Sequence, residues 1–193
     1  PEQSGGVNCL GDLGTHVENA VATMTGLKVK KVLAKMDVVV PGRVLDDNDV
    51  VLVEYEGGAT GCYWTSQFAI GHKNDLRVRI YGEKGSILWE QENCEKVTMI
   101  EYDGTEVVRY RGTPGIEPGA AAYGRLPSGH TEGWLESMGN LYRSFTACVA
   151  AKNDGTFTPD MIDFPTVHDG AEGVKFVHAC LKSNAAGNVW VEL

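Results

Sequence analysis

Short turns between successive β-rich segments constrain this fold more than any other feature of the sequence. Gly57-Gly58 and Asp103-Gly104 each separate two runs of β-forming residues, and such dipeptides are typical of tight hairpins. A parallel crossover needs a dozen or more residues, so strands joined by turns this short pair antiparallel. The sequence pattern therefore predicts that the middle of the chain forms a meander of about seven strands in one large antiparallel sheet.

The third run, residues 59–70, is the longest and has aromatic residues on both faces. Tyr63 lies on one face, whereas Trp64 and Phe68 lie on the other. Aromatic residues on both faces predict a central strand that is covered on both sides. The expected strands are residues 32–38, 50–55, 59–70, 76–81, 86–90, 96–102 and 105–111.

Helical periodicity flanks this meander on both sides. Residues 12–25 carry apolar side chains at helical intervals, and Gly26 follows where a helix-terminating glycine belongs. Two later helices, residues 131–151 and 167–183, precede a last strand at 189–193. The inward-facing residues are expected to be Trp134, Leu135, Met138, Leu141, Tyr142, Phe145 and Val149 on the first of these, and Val174, Val177, Cys180 and Leu181 on the second.

This order of elements predicts an α+β fold: a large, mainly antiparallel open β-sheet with helices packed on one face. Residues 112–129 interrupt the pattern with a glycine-, alanine- and proline-rich stretch that has no periodicity. A loop of this length is a candidate lid or site loop.

Asp12 and His16 form the candidate catalytic pair. They are four residues apart, a spacing that places both on one face of a helix. A carboxylate near an imidazole can fix its tautomer and raise its pKa, as a general acid/base near neutral pH requires. A second interpretation is a helix-capping aspartate beside an ordinary histidine, and the spacing alone leaves both open.

Composition limits the possible partners and the compartment. Seventeen basic and twenty-six acidic residues give a net charge of −9 without a basic stripe, which argues against nucleic acid and anionic membranes. No apolar run has membrane-spanning length. The five scattered cysteines predict reduced, buried thiols and a cytoplasmic protein.

Other residues that could bind ligands lie outside the first helix. His130 precedes the second helix, where it could contact a substrate hydroxyl or cap the helix. Glu132 could serve as a charge at that helix N-terminus. His72 lies in a polar loop that is expected to be a solvated turn, and His168 and His178 are expected to be structural.

Several ordered motifs resemble the C-terminal domain of the glucose-fructose oxidoreductase, inositol dehydrogenase and MocA (Gfo/Idh/MocA) family. The resemblance runs from residue 1 to residue 193. The motifs are Gly11-Asp12-Leu13-Gly14-Thr15-His16, Asp46-Asp47, Gly57-Gly58-Ala59-Thr60-Gly61, Tyr81-Gly82-Glu83-Lys84-Gly85-Ser86, Gly129-His130-Thr131-Glu132-Gly133, Phe164-Pro165-Thr166 and Trp190-Val191.

That resemblance implies a single α+β substrate-binding and oligomerisation domain over residues 1–193, with an N-terminal Rossmann domain outside this sequence. No Gly-x-Gly-x-x-Gly motif is present, and the start at Pro1-Glu2-Gln3 resembles a cut inside a longer protein. NAD or NADP would be bound mainly by the other domain, so the fragment alone is expected to be inactive. Asp12 and His16 become the catalytic residues and His130 a substrate-binding residue, with no metal.

The implied function is an NAD(P)-dependent oxidoreductase acting on a sugar, polyol or related hydroxyl compound. The family's open sheet face implies a homo-oligomer, a dimer or tetramer, and Arg77, Arg79 and Tyr81 suit such a contact. Two alternatives are a non-catalytic oligomerisation or sugar-binding module and a metal-dependent hydrolase or isomerase. The latter would use Asp12, His16, His130 and Glu132, although no His-Glu-x-x-His motif supports it.

Overall fold

The computed structural model of the protein describes residues 4–193, so Pro1–Gln3, at which the sequence starts, lie outside the described residues. Its strands are β1 (Val29–Asp37), β2 (Asn48–Tyr55), β3 (Thr60–Ser66), β4 (Arg77–Gly82), β5 (Gly85–Glu90), β6 (Lys96–Glu101), β7 (Glu106–Tyr110) and β8 (Val191–Glu192). The α-helices are α1 (Thr15–Thr25), α2 (Pro118–Ala121), α3 (Trp134–Asp154) and α4 (Val167–Ala185). A π turn, Leu10–Gly14, precedes α1, and 3-10 turns occur at Gln91–Asn93 and Pro159–Met161.

The described chain divides into two compact units. The first comprises the described part of Pro1–His72 together with Pro165–Leu193, and the second is Lys73–Phe164. The first unit therefore contains β1, β2, β3, β8, α1 and α4, while the second contains β4 to β7, α2 and α3.

The core of the first unit lies between one face of its sheet and helix α4. The antiparallel sheet has the strand order β3-β2-β1-β8, and alternate residues of β1 and β2 point inward. Val32, Val51 and Val53 on this face are at most 1% exposed, and Phe176 from α4 is fully buried with them. Burial of each such side chain contributes about 1.5–3 kcal/mol, so this contact fixes α4 on the sheet.

The second unit contains a four-stranded antiparallel meander, in the order β4-β5-β6-β7. The predicted Asp103-Gly104 turn joins β6 to β7, with Gly104 in the left-handed conformation at φ 86° and its N–H donating to the Glu101 carbonyl. In β4, buried Val78 alternates with exposed Arg77, Arg79 and Tyr81, as the sequence pattern predicts.

The antiparallel pairing and the α+β class are confirmed, but two details of the predicted sheet are wrong. The strands divide into two four-stranded sheets rather than one large sheet. The third strand is not central, because β3 is the edge strand of its sheet and ends at Ser66. Trp64 on β3 is 60% exposed, and its indole N–H donates to Asn48 at 2.8 Å.

The expected burial of the α3 stripe is also wrong. Trp134, Leu135, Tyr142 and Phe145 are more than half exposed, and the residues of α3 that are buried are instead Asn140, Cys148 and Ala151. Helical spacing identifies an apolar face, but it does not say what covers that face.

Similar corrections apply to α4 and to the cysteines. On α4, Val174 is exposed, and Phe176 and Ala179 are buried beside Cys180. All five cysteines are free, but Cys62 and Cys94 are exposed, and only Cys9, Cys148 and Cys180 are buried. Among residues 4–193, no helix is both long enough and apolar enough to cross a membrane.

Candidate active site

The helix that carries Asp12 and His16 begins with an unusual turn. The sequence predicts a helix over residues 12–25, and the structure has a π turn over Leu10–Gly14 that continues directly into α1. The predicted end is confirmed, because Gly26 adopts φ 70° and its N–H donates to the Ala22 carbonyl at 2.8 Å. Short π segments within helices occur frequently at functional sites, so this turn makes the helix start a candidate functional site.

Asp12 and His16 lie on consecutive turns, and both side chains are exposed. Within residues 4–193, no hydrogen bond or ion pair joins the Asp12 carboxylate to the His16 imidazole. The Asp12 carboxylate instead accepts a hydrogen bond from Gln67, with 3.3 Å between Nε2 and Oδ2. Both groups are therefore open to solvent and to a ligand.

Asp46 anchors the start of this helix from the segment before β2. Its two carboxylate oxygens accept hydrogen bonds from the backbone N–H groups of Asn8 and Leu10, each at 2.7 Å. Its carbonyl also accepts from the N–H of Cys9 at 3.2 Å. A carboxylate at a helix N-terminus satisfies orphan N–H groups and opposes the positive end of the helix dipole. This buried aspartate therefore fixes the turn that carries Asp12.

Asn8 and Gln67 complete a polar chain that leads back to Asp12. Asn8 Nδ2 donates to the Asp46 carbonyl at 3.2 Å and to Gln67 Oε1 at 2.5 Å. Sequence reasoning missed both residues, since Gln67 follows β3 and is 59 positions from Asn8. Asp46 was recognised only as part of a motif. Contacts between residues this far apart in the sequence leave no local spacing pattern from which they could be predicted.

An open cleft of about 390 Å³ adjoins this chain of hydrogen bonds. Its walls come from the start of the helix, the segment before β2 and the end of β3. The cleft is lined by Asn8, Gly42, Arg43, Val44, Leu45 and Gln67. The Arg43 guanidinium is already paired with the buried Asp47 carboxylate at 3.2 Å, so it does not present an unpaired positive charge.

Asp49 is a fully buried carboxyl group on β2, in the first unit. Thr65 donates to its Oδ2 at 3.0 Å, and its Oδ1 has no hydrogen-bond partner among the described residues. Burial, together with the negative charge of Asp46, raises the pKa of Asp49 to about 7. Burial likewise raises the pKa of the neighbouring Cys9 thiol to about 12, which makes this cysteine an unreactive structural thiol.

His130 lies in the second unit, exposed, in the segment between α2 and α3. Arg111 holds this segment: its guanidinium donates to the carbonyls of His130 and Leu126, the latter at 2.8 Å. Arg111 is itself paired with Glu95 at 2.9 Å and with Glu132 at 3.1 Å. The backbone at His130 is thus fixed while its imidazole remains accessible.

Glu132 is not the simple helix-end charge that its position predicts. Its carboxylate is only 6% exposed and accepts from the N–H groups of Arg125, at 2.6 Å, and Leu126, in addition to Arg111. The charge at the start of α3 comes from Glu136, which accepts from the N–H of Gly133 at 2.8 Å. The structure therefore gives Glu132 the role of ordering residues 125–132.

Glu132→Gln is expected to lower the free energy of unfolding by about 1–3 kcal/mol, because the buried pairing with Arg111 loses its charge. Urea unfolding measures this change. Glu106→Gln is the matched control, since Glu106 is exposed on β7 and its replacement should change stability by no more than about 0.5 kcal/mol. Equal stability of the two variants would contradict the role assigned to Glu132.

The set of ligands considered for a metal site is divided between the two units, with Asp12 and His16 in the first and His130 and Glu132 in the second. Residues 4–193 contain no group of three or more His, Cys, Asp or Glu side chains that could hold a metal ion. Coordination by Glu132 would also break its bonds to Arg111 and to the backbone of residues 125–126. The exposed Asp12 and His16 remain the candidate site in the first unit, and His130 remains the candidate ligand-binding residue in the second.

The fold and the candidate site together define a class of protein. It is an α+β domain with antiparallel sheets, and the carboxylate of Asp12 and the imidazole of His16 are exposed at the start of one helix. Comparison with known proteins agrees with that class. The family model described as "Oxidoreductase family, C-terminal alpha/beta domain" matches residues 1–193. The chain thus belongs to the Gfo/Idh/MocA oxidoreductase family and corresponds to its C-terminal domain.

Individual relatives support this membership. The uncharacterized oxidoreductase YfiI of Bacillus subtilis (strain 168) is 34% identical over 187 residues, which are 95% of this chain and 47% of that protein. An oxidoreductase structure from Sinorhizobium meliloti is 36% identical with a TM-score of 0.89, covering 95% of this chain and 52% of that one. An inositol dehydrogenase homolog from Azotobacter vinelandii, complexed with NADH and myo-inositol, is 31% identical with a TM-score of 0.92, covering 98% and 51%. The chain spans about half the length of each relative.

Proposed function

We propose that this chain is the substrate-binding and oligomerisation half of an NAD(P)-dependent oxidoreductase that acts on a sugar, polyol or related hydroxyl compound. The observation that carries the proposal is the exposed His16, one turn after Asp12 on a helix start that Asp46 anchors. The relative crystallised with NADH and myo-inositol supports both the nicotinamide cofactor and the polyol class. The free cysteines support a cytoplasmic location.

In this proposal His16 moves the proton of the reacting hydroxyl. Its imidazole accepts that proton as the hydroxyl-bearing carbon is oxidised, and it returns the proton in the reverse direction. The nearby negative charge of Asp12 stabilises the imidazolium that forms. The nicotinamide, when bound, supplies the hydride acceptor or donor. For His130, in the second unit, the proposed role is substrate binding.

Of the nicotinamide cofactor, only the nicotinamide ring, its reacting end, fits residues of this chain. The exposed His16 and Asp12 suit a nicotinamide with its substrate, but the sequence has no glycine-rich turn that would hold the diphosphate. In this proposal the diphosphate and ribose contacts come from a part of the full-length protein outside this sequence.

Assay of the full-length protein tests the proposed activity. The protein is incubated with NAD+ or NADP+ and a panel of polyols, aldoses and their methyl ethers, and the reduced nicotinamide is followed by absorbance. We expect reduction with at least one free hydroxyl compound and none with its fully methylated analogue. A full-length, cofactor-binding protein that oxidises no member of the panel, and reduces none of the matching ketones, would contradict the proposal.

The 193-residue chain alone is expected to bind NAD(H) weakly and to oxidise no polyol, because it lacks the diphosphate contacts. Titration calorimetry compares this chain with the full-length protein under the same conditions. Micromolar binding by the isolated chain would show that it holds a complete cofactor site and would contradict the proposed division of the site.

Self-association is the second part of the proposal. The face of the first-unit sheet opposite α4 exposes Val50 at 39%, Leu52 at 42% and Trp64 at 60%, and Val50 is paired with Trp64 across β2 and β3. Adjacent exposed apolar residues on a sheet face are typical of an interface. We expect a dimer or tetramer at micromolar concentration.

Light scattering of the wild type and of a Leu52→Lys/Trp64→Lys variant tests this contact. The double variant should have a smaller mass than the wild type, because two charges would be buried without partners. Ile70→Lys is the matched control, since Ile70 is 98% exposed and lies outside the strands. A wild-type mass of one chain, or an unchanged mass in the double variant, would contradict the assigned interface.

A further inference from the structure

Gln67 connects the anchor of the helix start to the candidate catalytic carboxylate. One end of its amide accepts from Asn8 at 2.5 Å, and the other end donates to Asp12 at 3.3 Å. All of these residues belong to the first unit. Among the described residues of this unit, Gln67 is the side chain that donates a hydrogen bond to the Asp12 carboxylate.

The orientation of the Gln67 amide follows from its partners. Asn8 Nδ2 must donate, because the Asp46 carbonyl that it also contacts at 3.2 Å can only accept. Gln67 therefore presents Oε1 to Asn8, and its Nε2 is left to donate to Asp12. A donor held in this way restricts the rotation of the carboxylate that accepts from it.

We propose that Gln67 is a positioning residue that orients the Asp12 carboxylate. The proposal rests on the function proposed above, in which the charge of Asp12 supports proton transfer by His16. Gln67 lines the open cleft, but both ends of its amide are already bonded within the protein. It acts on the reaction through Asp12 rather than by binding the substrate.

The test uses the full-length protein and the variants Gln67→Leu, Gln67→Glu, Asp12→Asn and Gln67→Leu/Asp12→Asn. Gln67→Leu should lower kcat about tenfold, the effect of one hydrogen bond to a charged group, with little change in NAD(H) binding. In the Asp12→Asn background the same replacement should change kcat less than twofold, because its target is already gone.

Gln67→Glu gives a readout that a purely structural role would not change. The new carboxylate would face Asp12 across about the same distance, and two like charges so close raise the pKa of the pair. The kcat/KM profile of Gln67→Glu should then move to higher pH by about one unit relative to the wild type. Gln91→Leu is the matched control, because Gln91 lies in the other unit on a 3-10 turn, and it should retain wild-type kcat and pH dependence.

The outcomes separate the two proposals. Wild-type turnover in Asp12→Asn would overturn the proposed function, and this inference with it. A slow Asp12→Asn enzyme combined with wild-type kcat and pH dependence in both Gln67 variants would overturn the inference alone. Multiplicative losses in the double variant would also overturn it, since Gln67 would then act independently of Asp12. If Gln67→Leu does not fold, Gln67→Glu, which keeps the bond to Asn8, decides by its pH profile.

Discussion

His16→Ala in the full-length protein is expected to lower kcat by about a hundred- to ten-thousandfold, while NAD(H) binding changes little. The reason is that a positioned general acid/base contributes this much to a proton transfer. His16 is exposed on α1, so its loss should change the folded structure little. Steady-state rates and cofactor titration on the same preparation measure the two effects.

His178→Ala is the matched control for this variant. His178 is also an exposed histidine on a helix of the first unit, and it is expected to be structural, so kcat should stay within about twofold of the wild type. If His16→Ala instead melts at a lower temperature while its folded fraction turns over normally, the histidine has a structural role and the catalytic assignment fails.

Asp49→Asn is expected to increase stability, and the increase should depend on pH. The pKa of Asp49 rises from 3.8 to about 7 on folding, so the folded state holds a proton that the unfolded state releases between these values. The contribution of the Asp49 carboxyl group to the wild-type free energy of unfolding is fully present below pH 3.8 and is lost as the pH rises through about 7. A pKa shift of this size corresponds to on the order of 4 kcal/mol in the free energy of unfolding. The wild type loses this amount as Asp49 ionises, whereas the neutral asparagine does not.

Urea unfolding of wild type and Asp49→Asn between pH 4 and 8 measures this difference. The stability gap should be small at the acidic end, grow through the neutral range and level off above the pKa of Asp49. Asp163→Asn is the matched control, since Asp163 is exposed and should give a nearly pH-independent difference. A gap for Asp49→Asn that does not change with pH would show that the buried carboxyl group is ionised throughout.

Features set by neighbouring residues were predictable from the sequence. The Gly57-Gly58 and Asp103-Gly104 hairpins depend on backbone conformations that glycine adopts without strain, and the antiparallel class follows from their short length. The end of α1 at Gly26 was predictable for the same reason. These local rules, with the family resemblance, were enough to assign the α+β class and to select Asp12 and His16 as a pair.

Features set by distant residues were not predictable in this way. Asn8 and Gln67 come together only because β3 lies beside the helix start, and Asp46 reaches the same turn from a segment 38 residues away. The apolar spacing of α3 predicts a buried stripe, but which residues cover a stripe depends on tertiary packing. Edge and central strands likewise carry similar residues, so the position of β3 could not be deduced from its aromatic content.

Chemical rescue of His16→Ala by imidazole tests the central claim most directly. An exposed site emptied of its imidazole should admit a free one, which then carries the proton in its place. The account predicts that turnover of the full-length variant rises with added imidazole, follows the pKa across a series of substituted imidazoles, and does not rise in the His178→Ala control. A folded, cofactor-binding His16→Ala enzyme whose turnover equals the wild type, or stays flat with every imidazole, would contradict it.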